Sequence, residues 1–257
     1  MSDRSEGNDE LASRAVGWVH GMHTAVCDVI EPWEHGTVVR ATRYPTYFDY
    51  NAVRVEQDPG MSLDELAAFA DEKLAGLGHR RIDFDFARAA DRLRPEFEAE
   101  GWKPTRLIYL RHSGSTPPAE RIPVERVRYD EVIDLRVSWE NEEPDLSTLD
   151  MTGHRADARA VAMSRDAEVV AVREGSTPIA YAQIERAAGS AELSQLYVLP
   201  EHRGRGLGTS LTLACIEAAR GVRELWICAD DEDRPKELYK RLGFEPAATM
   251  LQLLRLM

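Results

Sequence analysis

The sequence predicts an α+β protein built from two successive units, and three observations carry that expectation. The second half reads as a strand (123–128), two helices (130–141 and 147–163) and three strands in succession (168–173, 178–186 and 192–198). A loop, a helix, a strand (224–228), a helix (234–242) and a last strand (249–254) follow. That order belongs to layered α+β domains. The first half runs strand, loop, helix, strand, helix, Gly-aromatic, strand, a shorter version of the same order. Between the halves, Ser113-Gly114-Ser115-Thr116-Pro117-Pro118 breaks every periodicity, as linkers do. The expected organisation is a disordered N-terminus over 1–10, a first domain over 11–112, a linker over 113–121 and a second domain over 122–257.

Within the first half, Leu11, Ala15, Trp18 and Met22 are spaced for an amphipathic helix. His20 and His23 lie one turn apart on it, lack a third ligand nearby, and are read as helix surface, so no metal site is expected. Strands are expected at 37–43 and 53–56 around the turn-prone residues 44–46 and 49–51. Ser62, followed three residues later by Glu65, is a capping box that opens a helix running to about Gly76. Residues 81–84 and 105–110 are strand-like, and 87–100 is helical with a break near Pro95.

Composition narrows the class. At 257 residues, with 43% hydrophobic and 30% charged residues, the chain has enough apolar material for real cores. A formal net charge of -13 argues against nucleic acid as a partner, because a phosphate backbone needs a basic face. Cys27, Cys215 and Cys228 are scattered without Cys-x-x-Cys spacing and read as reduced thiols. No run approaches the ~18 apolar residues of a membrane span, and the first ten residues lack an apolar core segment. The expectation is a cytoplasmic protein without membrane contact.

The stretch from Val198 to Thr209 carries the chemistry. It joins a strand to a helix in which Leu211, Cys215 and Ala218 recur at helical spacing. Gly204, Gly206 and Gly208 let the backbone turn tightly and bring N–H groups close to a ligand, and the helix start adds donors and partial positive charge. Arg203 and Arg205 can add charge-assisted hydrogen bonds, so the stretch suits a pyrophosphate. The dinucleotide fingerprint is not met, because its third glycine falls on Thr209 or Leu211, and no Gly-Lys-Ser/Thr follows. What fits is Arg-x-x-Gly-x-Gly, filled by Arg203, Gly206 and Gly208 and preceded by Val-x-Pro-x-x-Arg. This resembles the acyl-CoA loop of the GNAT superfamily of N-acyltransferases, and the order of elements over 122–257 is similar to that of a GNAT domain.

A second signature, Leu238-Tyr239-Lys240-Arg241-Leu242-Gly243-Phe244, follows at the distance seen in that family. The resemblance implies that Tyr239 protonates the departing CoA sulfur and that acetyl-CoA is held by Leu196, Tyr197, Val198, Arg203, Gly204, Arg205, Gly206, Leu207, Gly208 and Thr209. It further implies that Glu192, eleven residues ahead of Arg203, is the general base, with Glu185 in reserve. One position departs: the asparagine that many members carry seven residues before the tyrosine is here Glu232, in the run Asp230-Asp231-Glu232-Asp233. Such a run is ordinarily a solvated loop, though it could attract a cationic acceptor.

The first half resembles a degenerate copy of the same plan. In place of the arginine-glycine loop it has Glu56-Gln57-Asp58-Pro59-Gly60-Met61, and in place of Gly243-Phe244 it has Gly101-Trp102, with Phe97 where the tyrosine belongs. The expected fold is thus two tandem GNAT-like domains, each a mixed central sheet flanked by helices. The implied activity is acetyl transfer from acetyl-CoA to the primary amine of a small molecule by direct attack, without a metal, in a monomer or homodimer. The alternatives are a non-catalytic acyl-CoA binding or sensing module, and a scaffold without CoA affinity.

Overall fold

The computed structural model describes residues 2–144, 146–147, 149–232 and 234–257, with the backbone alone for 2–8, 88 and 89. In chain order the elements are α1 (Ser2–Val26), β1 (Val29–Trp33), β2 (Gly36–Arg40), β3 (Asn51–Val55), α2 (Leu63–Lys73), β4 (His79–Phe84), α3 (Ala87–Ala90), α4 (Arg94–Ala99) and β5 (Lys103–His112). There follow β6 (Glu125–Val127), α5 (Ile133–Glu142), α6 (Thr152–Ser164), β7 (Glu168–Glu174), β8 (Thr177–Ala187), β9 (Ser190–Val198), α7 (Leu207–Ala218), β10 (Leu225–Asp230), α8 (Pro235–Arg241) and β11 (Phe244–Leu256). Two compact units result. One comprises Met1–Tyr109, Ala229–Asp233 and Ala247–Met257, and the other Leu110–Cys228 and Arg234–Pro246.

The first unit is a mixed sheet in the order β1-β2-β3-β4-β11. β1, β2 and β3 form an antiparallel meander, β3 and β4 run parallel, and β4 pairs antiparallel with residues 251–256 of β11. Its core joins Val38, Val53, Val55, Leu66, Ile82 and Phe84 with Leu251 and Leu253. The expected second domain ran continuously to residue 257, whereas residues 247–257 group with the first unit. The reason is local: alternate leucines of β11 fill the first unit's core, and its backbone gives β4 an antiparallel partner.

Four further expectations differ from the structure. Residues 2–10, expected to be disordered, continue α1, since each residue added to a nucleated helix gains a hydrogen bond without a new nucleation cost; Met1 lies outside the described residues. His23, read as helix surface, is buried and bonded through Nε2 to the carbonyl of Asp49 at 3.0 Å, and burial pushes its pKa down to about 3. The expected helix over 147–163 begins at Thr152, and its Thr148 lies outside the described residues. The break in 87–100 comes at residues 91–93, and Pro95 sits in the first turn of α4, where it lacks no bond.

The second unit orders its strands β10-β9-β8-β7-β6, antiparallel from β6 to β9 and parallel between β9 and β10. Helix α7 lies against β7, β8 and β9. A separate cluster joins Leu135 of α5 and Ala162 of α6 to Val169, Ala171, Tyr181 and Tyr197. The stretch read as a linker is laid along this unit. Ser113 donates its N–H to Gly243 at 2.8 Å, Ile122 donates to Ser210 Oγ at 2.9 Å, and Arg121 pairs with Glu217 at 3.1 Å. Both units therefore repeat one plan, an antiparallel meander followed by loop, helix and a strand parallel to the meander's last.

The place of β11 has a measurable consequence. Leu253→Ala removes a fully buried side chain from the first unit's core and should cost about 2–5 kcal/mol of stability. Urea unfolding read by tryptophan fluorescence tests this. A cost below about 0.5 kcal/mol, the range of surface substitutions, would contradict the assignment of β11.

Candidate functional site

The second unit's glycine stretch leaves β9, makes a single 3-10 turn over Pro200–His202 and enters α7. Gly204 and Gly206 take φ of +77° and +81°, a left-handed region that a residue with a Cβ enters at a cost. Gly208 stands close to α8: a Cβ there would be 3.2 Å from Leu238 Cδ2, so that side chain would have to give by a few tenths of an ångström. α8 is thereby held against the first turn of α7, and it carries the neighbouring Tyr239, which is buried edge-on to Phe244 at 6.2 Å.

The start of α7 differs chemically from that of its counterpart α2. Helix α2 is closed by its own side chains. Ser62 Oγ accepts from the N–H of Glu65, and the Glu65 carboxylate accepts from Ser62 N at 2.8 Å. Asp58 accepts from the N–H of Gly60 at 3.0 Å. Helix α7 has Gly206 as its cap, with no side-chain cap hydrogen bond and no acidic residue in its first turn among the described residues. Its leading N–H donors face outward from a partly positive helix end, the arrangement that receives phosphate.

The parallel strands differ in the same sense. In the first unit the pairing runs Val53↔Ile82, Arg54↔Asp83, Val55↔Phe84 and is extended by the N–H of Asp85 to the carbonyl of Val55 at 3.0 Å. That edge is sealed to its end. In the second unit the described pairing ends at Ile227↔Leu193, although β9 continues to Val198. The N–H of Leu199 donates to the carbonyl of Ile179 on β8 at 3.1 Å. By strand alternation, Val198 turns its own N–H and C=O the other way, toward the edge that β10 leaves. Its carbonyl accepts from Arg203 Nε at 3.0 Å. Its N–H lies on the same edge.

The remaining expected residues divide by role. Arg203 is tied into the second unit. Besides Val198, its Nη2 bonds Glu142 at 2.6 Å and its guanidinium stands 5.7 Å from the centre of the Tyr197 ring. Tyr197 donates its hydroxyl to the same carboxylate. Burial and the Glu142 bond push the Tyr197 phenol well above its ordinary range. Burial works against ionisation of Glu142, but the bonds from Tyr197 and Arg203 hold its carboxyl below the usual value. Sequence reading missed Glu142, because nothing marks a glutamate so far from the loop. Arg205 is half exposed, with Nη1 2.7 Å from His202 Nδ1. Leu207 is buried beneath the loop, while Leu196 and Thr209 are half-buried.

Glu192 is half-buried on β9, level with Trp226 of β10 and opposite Glu185 of β8. Glu185 itself is committed to the structure, taking Arg165 Nη1 at 2.6 Å, Gln183 Nε2 at 2.7 Å and Ser194 Oγ at 3.4 Å. In the acidic run, Glu232 is bonded by Arg94 and Asp231 by Arg106 Nε at 3.1 Å, while Asp230 accepts from the N–H of Glu232 at 2.8 Å. These three are framework groups of the first unit, and Asp233 lies outside the described residues. Among the described residues no group of three His, Cys, Asp or Glu could hold a metal ion. No helix there is long and apolar enough to cross a membrane.

Comparison with known proteins fits this geometry. Residues 165–246, from the end of α6 through the loop to the start of β11, match the family described as acetyltransferase (GNAT) domain. An uncharacterised N-acetyltransferase of Methanocaldococcus jannaschii is 40% identical over 70 residues, which is 26% of this chain and 30% of that protein. The chain thus spans less than a third of that relative. Among solved structures, a conserved protein of unknown function from Staphylococcus epidermidis superposes with a TM-score of 0.69 over 89% of this chain and 94% of its own, at 15% identity. A tandem GNAT protein from the clavulanic acid biosynthesis pathway superposes with a TM-score of 0.50 over 79% of this chain and 74% of its own, at 18% identity. Residues 165–246 thus match a GNAT acetyltransferase domain, in a chain whose fold is similar to that of a tandem GNAT protein.

Proposed function

We propose that the protein is an acetyl-CoA dependent N-acetyltransferase that acylates the primary amine of a small molecule by direct attack, with one active unit and one supporting unit. The observation that carries this reading is the coincidence, at the end of β9, of two left-handed glycines, a helix start without a side-chain cap, and a strand edge that its parallel neighbour has left. Each feature serves a different part of acetyl-CoA: the glycines and helix start its pyrophosphate, the strand edge its pantetheine arm and thioester. When bound, acetyl-CoA supplies an acetyl group activated as a thioester.

The chain's residues then have separate tasks. The N–H donors from Arg203 to Thr209 hold the pyrophosphate, and Leu196 to Val198 position the acyl end. The N–H of Val198 donates to the carbonyl oxygen as charge develops on it. Glu192 takes a proton from the attacking amine, which is mostly protonated at neutral pH. As the new C–N bond forms and the C–S bond breaks, Tyr239 gives its proton to the leaving sulfur. A sensing module without turnover would share the cradle but gain nothing from Tyr239 or Glu192.

Calorimetry should find one acetyl-CoA per chain, because the first unit's equivalent edge is sealed and its helix capped. Gly206→Val should abolish binding, since a β-branched side chain resists φ near +81° and crowds the phosphates. Two acetyl-CoA per chain, or unchanged affinity in Gly206→Val, would contradict the cradle. For proton handling, a screen of small primary amines for free thiol release supplies the acceptor. Tyr239→Phe should keep acetyl-CoA affinity and lower turnover by up to about 10²- to 10⁴-fold. Glu192→Gln should lower the rate at neutral pH and recover part of it at alkaline pH, where free amine is abundant. A Tyr239→Phe profile matching the wild type, or a Glu192→Gln deficit constant with pH, would remove the corresponding role.

A further inference from the structure

Between β8 and β9 the pairing is Tyr181↔Tyr197 on one side of an irregularity and Gln183↔Ser194 on the other. Ala182 therefore faces two residues, Gln195 and Leu196, the count of a β-bulge. Gln195 has φ +54°. A bulge whose first residue is left-handed is normally built on glycine, which has no Cβ to strain. Here the position holds glutamine, at a conformational cost that persists only where the surroundings enforce it.

The enforcing group is Arg136 of α5, only 3% exposed, whose Nη1 donates to Gln195 Oε1 at 2.9 Å. The arginine is itself fixed: its guanidinium stands 5.9 Å from the centre of the Tyr129 ring, and it hydrogen-bonds the Tyr181 side chain. A buried cation thus reaches from a helix to grip the one strained residue of β9.

The bulge decides what β9 presents. Tyr181 and Gln183 lie on one face of the sheet, as alternate residues do, and their partners Tyr197 and Ser194 lie on that face with them. Ser194 and Tyr197 are an odd number of residues apart, so in a regular strand without the bulge they would fall on opposite faces. The same inversion would turn the N–H of Val198 toward β8 and away from the edge left by β10.

We propose that Arg136 and Gln195 are positioning residues that lock this bulge, so that the backbone N–H of Val198 points at the thioester carbonyl of the bound donor. The role rests on the proposed acetyl-CoA function. It concerns the acetyl end of the donor and leaves the phosphate cradle untouched, which gives it a signature that general destabilisation lacks.

The test compares two probes, acetyl-CoA and free CoA, by calorimetry on the full chain. Gln195→Ala keeps the Cβ and its strain but removes the acceptor, and Arg136→Met removes the donor. Both should weaken acetyl-CoA binding by about 3- to 10-fold, the worth of one hydrogen bond, with CoA affinity within about two-fold of wild type. Gln195→Gly, which adopts the bulge without strain, should recover most of the loss. Should Arg136→Met fail to fold, the two Gln195 variants decide the matter, because that side chain is half-buried. If Ala and Gly at 195 behave alike, or acetyl-CoA and CoA weaken together, the role is wrong while the proposed function stands. A wild-type protein that binds neither probe would overturn the proposed function and this role with it.

Discussion

Whether two parallel strands stay hydrogen-bonded to their ends is the constraint on which the rest of this structure depends. In the first unit β3 and β4 pair through Val55↔Phe84, and Asp85 adds one further bond. In the second unit the pairing of β9 and β10 among the described residues ends at Leu193↔Ile227. Sealing an edge satisfies backbone groups within the chain; parting leaves them to be met by something else. The two units share one order of elements and differ in how far that edge is paired within the fold.

The helix that follows each parallel strand repeats the choice. Ser62 and Glu65 close α2 with a hydroxyl and a carboxylate, which satisfy its first N–H groups and set a negative charge where a phosphate would come. Gly206 opens α7 and leaves those donors to the outside. Arg203, the arginine of the loop, serves in part as framework: through Val198, Tyr197 and Glu142 it ties the end of β9 to the end of α5. The same helix α5 carries Arg136, so one helix holds β9 at two points close to the proposed chemistry.

Much of this was legible in the sequence where a residue type announces its geometry. Gly204 and Gly206 mark left-handed backbone, and the Ser62–Glu65 box marks a capped helix. Gln195 occupies the same backbone region as those glycines, but glutamine carries no such mark, so the bulge was invisible. β1 was missed because it is a largely exposed edge strand containing Pro32, without the alternation of a half-buried strand. The leucines of β11 show a strand but not its partner, and only the pairing with β4 reveals that it completes the first unit. Glu142 and Arg136 act across long separations, which no local pattern encodes. The acidic run looked solvated because its arginine partners, Arg94 and Arg106, lie far off in the sequence.

The central claim, that the second unit's strand edge and helix start are the donor site and the first unit's are not, is tested most directly by amide hydrogen exchange with and without acetyl-CoA. Exchange at 196–198 and 203–209 should slow on addition of acetyl-CoA, while 56–65 and 84–86 should be unchanged. Protection of 56–65, or no change at 203–209 at saturating acetyl-CoA, would contradict the account.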